Sequence, residues 1–223
     1  MMYDFHTHTL LSDGVLSPIE LIRRAVVNGY RAVCIADHCG TGYLPRIIHD
    51  VTKDCEMARR NWDIMAIPGV ELTHVPVGEI AFLASQAKEL GAQIVVVHGE
   101  SIVEPVEVGT NLAAVSSPHV DILAHPGLIT LHEAQLAASN NVFLEISARK
   151  GHCLTNGHVA RMAKIAGAKL LLDSDAHDVG DLLTKEKARN IARGAGLDEA
   201  EIEEVLEVNP TVLLERIRLS PAV

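Results

Sequence analysis

Aromatic side chains are scarce in this chain: phenylalanine, tyrosine and tryptophan make up 3% of its 223 residues. Proteins that bind single-stranded nucleic acid stack bases on aromatic rings, so the scarcity disfavours such a platform. Positive charge is also scarce, with 19 Lys and Arg against 29 Asp and Glu and a formal net charge of −10 at pH 7. An acidic chain binds nucleic acid poorly through overall charge, although bound divalent cations could make one cleft positive.

Cysteine and long hydrophobic runs are lacking as well. The chain has four cysteines, Cys34, Cys39, Cys55 and Cys153, and none forms a C-x-x-C pair. With so few cysteines and no signal-like start, we expect a protein of the reducing cytoplasm. No apolar run approaches the length needed to cross a bilayer, so no membrane partner is expected. Cys34 lies inside an apolar run and is predicted to be a small core residue.

What the chain does have is seven short apolar runs that reach metal-binding side chains. Six end in His, Asp or Glu, and the run at 143–147 ends on Ser147 with Glu145 just inside it. Buried parallel strands read as continuous apolar runs, and the catalytic groups of a parallel barrel lie where strands end and loops begin. The pattern therefore predicts a ring of strands with metal ligands at their carboxyl ends. The runs are residues 3–8, 32–38, 66–71, 94–98, 121–125, 143–147 and 170–177.

Helical patterns separate these runs, which indicates βαβ units and a parallel sheet wound into a barrel. The fold class is therefore α/β, with one domain over residues 1–223. Two further helices, at 198–208 and 210–217, are predicted to close the base or side of the barrel. The polar stretch at 99–110 is either a mobile loop over the site or an ordinary surface connection. Another predicted helix starts at the cap residue Ser17 and ends at Asn28. The remaining predicted helices cover 45–60, 84–90, 111–115, 131–139, 156–166 and 185–195.

Nine side chains at the strand ends are candidate metal ligands and, with the metal, candidate catalytic groups. His6-x-His8 places two imidazoles on one face of an extended segment, and Asp175-x-His177 repeats that spacing. Because carboxylates can bridge cations, six His and three acids together imply more than one metal, and three metals would use about nine ligands. The mixed donor set accepts Zn, Mn or Fe. The candidates are His6, His8, Asp13, His38, Glu71, His98, His125, Asp175 and His177.

As a set, these motifs resemble the PHP family, the polymerase and histidinol phosphatase superfamily. The resemblance spans nearly the whole chain in the family's order, and it implies a single PHP domain that folds as a distorted, TIM-like (β/α)7 barrel with a trinuclear metal site. The matching segments are His6-Thr7-His8-Thr9 with Ser12-Asp13-Gly14, then Ala36-Asp37-His38, Pro68-Gly69-Val70-Glu71, Val97-His98, Ala124-His125-Pro126 and Ser174-Asp175-Ala176-His177.

The resemblance also implies how the nine ligands are shared. The first metal would take His6, His8, Glu71 and Asp175; the second Glu71, His98 and His125; and the third Asp13, His38 and His177. The family usually has Thr before the Asp-His pair, where this chain has Ala36. That position is not a ligand, so the change concerns the surroundings of the metals more than their binding. Asp37 is interpreted as a partner that orients a ligand imidazole.

Substrate contacts are expected in the loop after the sixth run. Arg149 and Lys150 could grip phosphate oxygens, Arg149 in a bidentate manner, and the alternative is a solvated pair of charges. His152 and His158 are weaker candidates for the same pocket. Glu145 is either an acid beside the ligands or a structural acid. The remaining histidines His74, His119 and His132 fall outside the ligand pattern and are interpreted as surface or core residues.

These observations predict a metal-dependent phosphoesterase that hydrolyses a small phosphate monoester, with histidinol phosphate as the family's namesake substrate. The metals would supply hydroxide that attacks phosphorus in line with the leaving oxygen. The alternatives are a nuclease or nucleotide phosphatase with the same metals, a non-catalytic barrel subunit of the ribonuclease P type, and a C–N hydrolase. The oligomeric state stays open.

Overall fold

Eight strands, all paired in parallel, form one sheet in the computed structural model, which describes residues 2–219 and the side chains of residues 2–217. The sheet order is β1-β2-β4-β5-β6-β7-β8, and the two-residue β3 pairs with the end of β4. The strands are β1 Met2–Thr7, β2 Tyr30–Ile35, β3 His38–Cys39, β4 Met65–Leu72, β5 Ile94–His98, β6 Ile122–Ala124, β7 Phe143–Ser147 and β8 Leu170–Asp173.

The two edges of the sheet meet and nearly close it into a barrel. Just beyond β8, Ala176 forms a parallel bridge with Thr7 of β1, and the N–H of His8 donates to the Ala176 carbonyl at 2.8 Å. Lower in the barrel, the N–H of Phe5 donates to a carboxylate oxygen of Asp173 at 2.6 Å. The predicted distorted barrel of seven main strands is therefore confirmed.

The helices alternate with the strands as the sequence predicts. Ser17 caps α1 by accepting from the N–H of Glu20, and Pro18 occupies the first turn, where its missing N–H costs nothing. The helix predicted at 84–90 begins earlier, at Ile80, because a short 3₁₀ turn at Val77–Glu79 leads into it. The helices are α1 Pro18–Val27, α2 Leu44–Asn61, α3 Ile80–Glu89, α4 Thr110–Ser116, α5 Leu131–Asn140, α6 Asn156–Ala166, α7 Lys185–Gly194, α8 Glu199–Glu203 and α9 Asn209–Leu219.

The C-terminal helical region differs in detail from the prediction. Instead of two helices at 198–208 and 210–217, α8 passes through a π-helical turn at Glu204–Val208 directly into α9. Leu213 of α9 is buried with Tyr3 and Phe143 from the amino ends of β1 and β7. The C-terminal helix thus closes the base of the barrel, as expected. Within residues 2–219, no helix combines the length and the apolar character required to cross a lipid bilayer.

The barrel interior changes from apolar at the base to polar at the top. In β5, Ile94 and Val96 are fully buried in the inner apolar cluster, together with Cys34, which confirms the prediction for that cysteine. Alternate strand residues share one face, so His98 at the end of β5 continues the inner row. The same alternation carries Ile67 of β4 to Glu71 at its upper end. The fold therefore gathers the strand-end side chains at one place.

Candidate metal centre

Glu71, at the end of β4, lies at the centre of the polar cluster. Its Oε1 lies 3.3 Å from Nε2 of His6 and 3.2 Å from Nδ1 of His98. Its Oε2 contacts Nδ1 of His38 and lies 4.0 Å from Nε2 of His8. Glu71 is fully buried, so four imidazoles from three strands and the first loop surround a carboxylate that water does not reach.

Asp175 faces the same cluster from the segment after β8. Its Oδ1 lies 3.2 Å from Nε2 of His8 and 3.4 Å from Nδ1 of His177, and its Oδ2 lies 3.8 Å from Nε2 of His125. His125 Nε2 is also 3.8 Å from Oε1 of Glu71. Glu71 and Asp175 therefore share His8 and His125 as neighbours.

A third acid, Asp13, approaches from the loop after β1. Its Oδ1 lies 3.1 Å from Nε2 of His177 and 3.4 Å from Nε2 of His38. The turn that brings Asp13 here requires glycine next to it, because a Cβ on Gly14 would lie 2.4 Å from the carbonyl oxygen of His8. The Asp-Gly pair in the sequence thus has a steric explanation.

All nine sequence-predicted ligands converge, and the donor atoms of eight of them fall into four groups that share members, whereas His98 belongs to a separate fifth group. The grouping departs from the resemblance at His98, which would share a metal with Glu71 and His125 but whose donor atom instead groups with His74 and Glu104. Within each group, the donor atoms lie within 4.8 Å of one another. The groups are His8, Asp13, His38 and His177; His6, Glu71 and His125; His6, His8 and Asp175; His125, His152 and Asp175; and His74, His98 and Glu104.

Two of the nine predicted ligands are held in an unusual backbone conformation. His125 has φ +28° and Asp175 has φ +51°, in the left-handed region that side chains other than glycine rarely adopt. Such conformations cost roughly 1–3 kcal/mol and persist where the surrounding structure requires them, which is typical of functional sites. Strain at both residues agrees with their convergence on the cluster.

Burial keeps two imidazoles in the neutral form that binds metal. It lowers the pKa of His8 to about 4, and positive charge on the neighbouring His6 acts in the same direction. The pKa of His125 is likewise held well below its ordinary value by burial and by the nearby His98. At neutral pH, both rings therefore offer lone pairs without first losing a proton.

Neighbouring carboxylates raise the pKa of other histidines in the cluster. Burial disfavours a charged His6, but Glu145 and Glu71 outweigh it and raise the pKa of His6 well above 6.5. Burial likewise disfavours an ionised Glu71, but the positive charges on His6 and His38 outweigh it and hold the Glu71 pKa well below its ordinary value. When no cation is bound, protons on the imidazoles would thus balance the buried negative charge of the pocket.

We expect metal binding to release protons. His6, with its raised pKa, carries a proton at pH 7 that must leave before its lone pair binds a cation, and the pKa values of His38 and His98 are also raised. Apparent metal affinity should therefore increase from pH 6 to pH 8, by about tenfold per pH unit for each proton displaced. Calorimetric titration with Mn²⁺ in two buffers of different protonation enthalpy measures the release. Affinity that is flat over this range, with no proton release, would contradict the assignment.

Several buried nitrogen atoms in this cluster lack hydrogen-bond partners among the described side chains. They are Nε2 of His6, both ring nitrogens of His8, Nε2 of His98 and Nδ1 of His125. Buried polar atoms are normally satisfied, and an orphaned one costs about 1–3 kcal/mol. Neutral imidazole nitrogens beside carboxylates are the donors that Zn, Mn and Fe accept. The residues present therefore fit a group of divalent cations.

Two acids next to the cluster have different tasks. Glu145 on β7 accepts a hydrogen bond from Nδ1 of His6 at 2.6 Å, which fixes the ring and leaves Nε2 facing Glu71. Asp37, predicted to orient an imidazole, accepts instead from the N–H of Thr9 at 2.7 Å and from the hydroxyls of Thr9 and Ser12. That interpretation was wrong: Asp37 anchors the loop that carries Asp13.

A cavity of about 440 Å³ opens over the cluster. Arg149 lines it and pairs with Asp181 at 3.3 Å, whereas Lys150 is exposed and lies outside the lining. The assignment of Lys150 to the substrate thus has no support from the position of its side chain. His158 is also placed elsewhere, because its Nε2 hydrogen-bonds the carbonyl of Ile129 at 2.8 Å.

Sequence reasoning missed two residues at the cavity mouth. Glu104, in the polar 99–110 segment, lies with its carboxylate 3.1 Å from Nε2 of His98 and 3.3 Å from Nε2 of His152. His74, interpreted as a surface or core histidine, contacts the same carboxylate at 3.2 Å. The one signal in the sequence that pointed to Glu104 was the position of the 99–110 segment directly after a ligand-bearing strand. The contacts of Glu104 with His98 and His152 support the interpretation of this segment as a loop over the site.

Comparison with known proteins agrees with this geometry. Residues 4–169 match the PHP domain family. An uncharacterised protein of Methanocaldococcus jannaschii is 48% identical over 218 residues, which cover 97% of this chain and 100% of the relative. A probable phosphatase of Shewanella pealeana is 32% identical over 235 residues, with 96% of this chain and 91% of the relative covered.

A solved structure shows the same architecture. Histidinol phosphate phosphatase from Lactococcus lactis, crystallised with zinc, L-histidinol and phosphate, aligns with a TM-score of 0.63 at 16% identity. The alignment covers 88% of this chain and 94% of that one, and at this identity it shows the fold alone. Since the family match extends over most of the sequence and near-complete relatives accompany it, the chain belongs to the PHP domain family.

Proposed function

We propose that this protein hydrolyses a small phosphate monoester at a site that holds three divalent metal ions. The match to the PHP domain family and the relatives that are probable phosphatases support a metal-dependent phosphoesterase. The observation that carries the proposed three-metal site is the enclosure of buried Glu71 by imidazoles, with Asp175 and Asp13 on either side.

The nine converging side chains are the residues that would hold the ions. When bound, divalent cations of this kind supply hydroxide at neutral pH and stabilise the negative charge that develops on phosphoryl oxygens. Such charge stabilisation dominates catalysis of phosphoryl transfer. The proposed ligands are His6, His8, Asp13, His38, Glu71, His98, His125, Asp175 and His177.

The chain's own residues prepare the site for an anionic substrate. Glu71 and Asp175 stay ionised, because neighbouring imidazoles hold the pKa of each carboxyl below its ordinary value despite burial. Glu145 orients His6, and Asp37 holds the loop that carries Asp13. Preorganised groups of this kind need not reorganise as the reaction proceeds. Arg149, on the cavity wall, brings the guanidinium that would grip a phosphoryl oxygen.

Replacing Arg149 by alanine is expected to raise KM for a phosphate monoester and to lower kcat/KM by about 10- to 100-fold. The physical reason is the loss of a charge-assisted hydrogen bond to a phosphoryl oxygen, worth about 1.5–3 kcal/mol. Steady-state kinetics of the metal-loaded variant measures the change. Arg161→Ala, at an exposed position on α6, removes the same group away from the cavity and should leave both constants unaltered.

Arg149 also pairs with Asp181, whose Oδ2 accepts from the N–H of His177 at 3.1 Å. Asp181→Asn separates the ion pair with Arg149 from the hydrogen bond to His177, because the amide oxygen of Asn can still accept from the N–H of His177 while the ion pair is lost. If Asp181→Asn reproduces the loss caused by Arg149→Ala, Arg149 acts through the loop and not on substrate. Unchanged kinetics of Arg149→Ala would contradict the clamp.

The experiment that tests the proposed function is a panel of phosphorylated metabolites assayed after metal reconstitution. The panel should contain histidinol phosphate, sugar phosphates, nucleoside monophosphates and short oligonucleotides. We expect turnover of at least one small monoester well above that of the oligonucleotides. Hydrolysis of oligonucleotides alone would show that the substrate class is wrong.

The alternative functions receive less support. A non-catalytic barrel subunit is expected to have lost its ligands, whereas all nine are present and converge. A nuclease would be expected to have a basic groove with stacking aromatics, but the net charge is −10 and aromatics make up 3% of the chain. The phosphatase proposal is therefore the one that the observations favour.

A further inference from the structure

A second set of metal-binding side chains lies at the cavity mouth, outward from the nine. Oε2 of Glu104 lies 3.2 Å from Nε2 of His74 and 3.1 Å from Nε2 of His98. The donor atoms of all three residues lie within 4.8 Å of one another. Of the three, only His98 belongs to the nine residues that the family resemblance identifies, so His74 and Glu104 have no assigned task.

The orientation of His98 provides the first argument for a cation here. His98 is 3% exposed, and its Nδ1 is hydrogen-bonded to Oε1 of Glu71 at 3.2 Å. Its Nε2, although 3.1 Å from Glu104, forms no hydrogen bond to any of the side chains or backbone groups described in residues 2–217. Once a cation displaces the proton that the neighbouring carboxylates favour on His98, a ring that donates Nδ1–H to Glu71 offers its Nε2 lone pair, which is the usual arrangement of a metal-bound histidine.

The backbone of His74 provides the second argument. His74 has φ +52°, in the left-handed region that Asp175 also adopts, with φ +51°. Of the non-glycine residues in the described backbone, four have positive φ, and one of them, Asn141, is a helix C-cap. The other three are His125, Asp175 and His74, so His74 shares this costly conformation with two proposed ligands. The surrounding structure therefore holds His74 at the mouth in a backbone conformation that residues other than glycine disfavour.

The third argument is that Glu104 is carried by an anchored loop. Oε1 of Glu100 accepts from the N–H groups of Gly109 and Asn111, each at 3.0 Å, which closes the loop on itself. Gly127, with φ +60°, lets the loop pack closely, because a Cβ there would lie 1.9 Å from the carbonyl oxygen of Glu100. The loop is thus tied to the barrel on both sides of Glu104, so its carboxylate is presented at a defined position.

We propose that His74, Glu104 and Nε2 of His98 bind a fourth divalent cation at the mouth of the cavity, which reassigns His98 from the inner three ions to this one. Two donors bound to one cation at about 2.0–2.2 Å lie roughly 3 Å apart, which matches the separations of 3.1 and 3.2 Å around Glu104. Two imidazoles and a carboxylate suit Zn²⁺ or Mn²⁺. Three protein ligands leave coordination positions open, and all three residues line the cavity, so those positions are accessible to an anionic ligand.

This site does not depend on the phosphatase proposal, because metal binding is measured without a substrate. The full chain is stripped with a chelator, dialysed against a series of Mn²⁺ concentrations at pH 7.5, and analysed for bound metal per chain by atomic emission. His74→Ala and Glu104→Gln are the test variants. Two control variants accompany them: His132→Ala removes a histidine from an exposed position on α5, and Glu107→Gln makes the Glu-to-Gln change elsewhere on the loop that carries Glu104.

At the lowest Mn²⁺ concentration that saturates the wild-type protein, His74→Ala and Glu104→Gln should each bind one equivalent less. The two control variants should bind as much as the wild type, and thermal melts in chelator should show all four variants folded. The proposal is wrong if either test variant retains the full wild-type complement. It is also wrong if the two variants lose metal only to the extent that the controls do.

Discussion

Glu71→Gln is expected to lower kcat/KM by about 1,000-fold or more. The variant keeps the size of the side chain but removes the buried negative charge that lies 3.3 Å from His6 and 3.2 Å from His98. Without that charge, the imidazoles bind cations less tightly, and at least two of the proposed metal positions lose a shared ligand. A loss of this size corresponds to about 4 kcal/mol of transition-state stabilisation, within the range that metal ions supply.

Metal content and steady-state kinetics of the same Glu71→Gln preparation provide the measurement. Glu89→Gln makes the identical change on the exposed end of α3 and should retain wild-type turnover. Circular dichroism shows whether the variant remains folded, so that loss of structure is separated from loss of metal. A Glu71→Gln protein with kcat/KM within tenfold of the wild type would exclude Glu71 as a bridging ligand.

Removing the metal should abolish hydrolysis, with residual kcat at least about 1,000-fold below that of the loaded protein. Arg149 and the histidines stay in place, but without cations none of the described residues that line the cavity is expected to supply hydroxide at neutral pH. The protein should nevertheless stay folded, since protons on His6 and its neighbours compensate the buried carboxylates in the metal-free pocket. Dialysis against a chelator, followed by assay and circular dichroism, measures both expectations.

Adding Mn²⁺, Zn²⁺ or Fe²⁺ back one at a time should restore activity and identify the effective metal. Mg²⁺ serves as the matched control, because it prefers oxygen ligands in octahedral geometry and suits an imidazole-rich site poorly. Full turnover in a preparation shown by elemental analysis to lack transition metals would contradict a metal-dependent mechanism.

Much of the fold was readable from the sequence because one physical rule governs it. Strands buried on both faces are continuously apolar, so each run ends where the barrel opens to its site, as Val96 and Val97 give way to His98. In a parallel barrel all such ends lie at one rim, which is why the ligands could be predicted as a group. That they bind metal, that the chain is one domain and that the protein is cytoplasmic stay predictions.

The mouth residues could not be predicted because no periodicity places them. Glu104 lies six residues beyond His98 in an irregular loop, and only the hydrogen bonds of Glu100 bring it back to the cavity. His74 reaches the same place through a left-handed backbone that sequence patterns do not reveal. Asp37 was misread for a related reason: adjacency to His38 suggested a shared role, but neighbouring side chains of an extended segment point to opposite sides, and the Asp37 carboxylate accepts from the N–H of Thr9.

The most direct test of the account is anomalous diffraction from crystals of the metal-loaded protein, recorded above and below the absorption edge of the metal that restores activity. We predict anomalous peaks within bonding distance of Glu71, Asp175 and the imidazoles around them, with three ions among the nine side chains. A crystal of active protein with no anomalous peak in that cluster, or with those side chains turned away from one another, would contradict it.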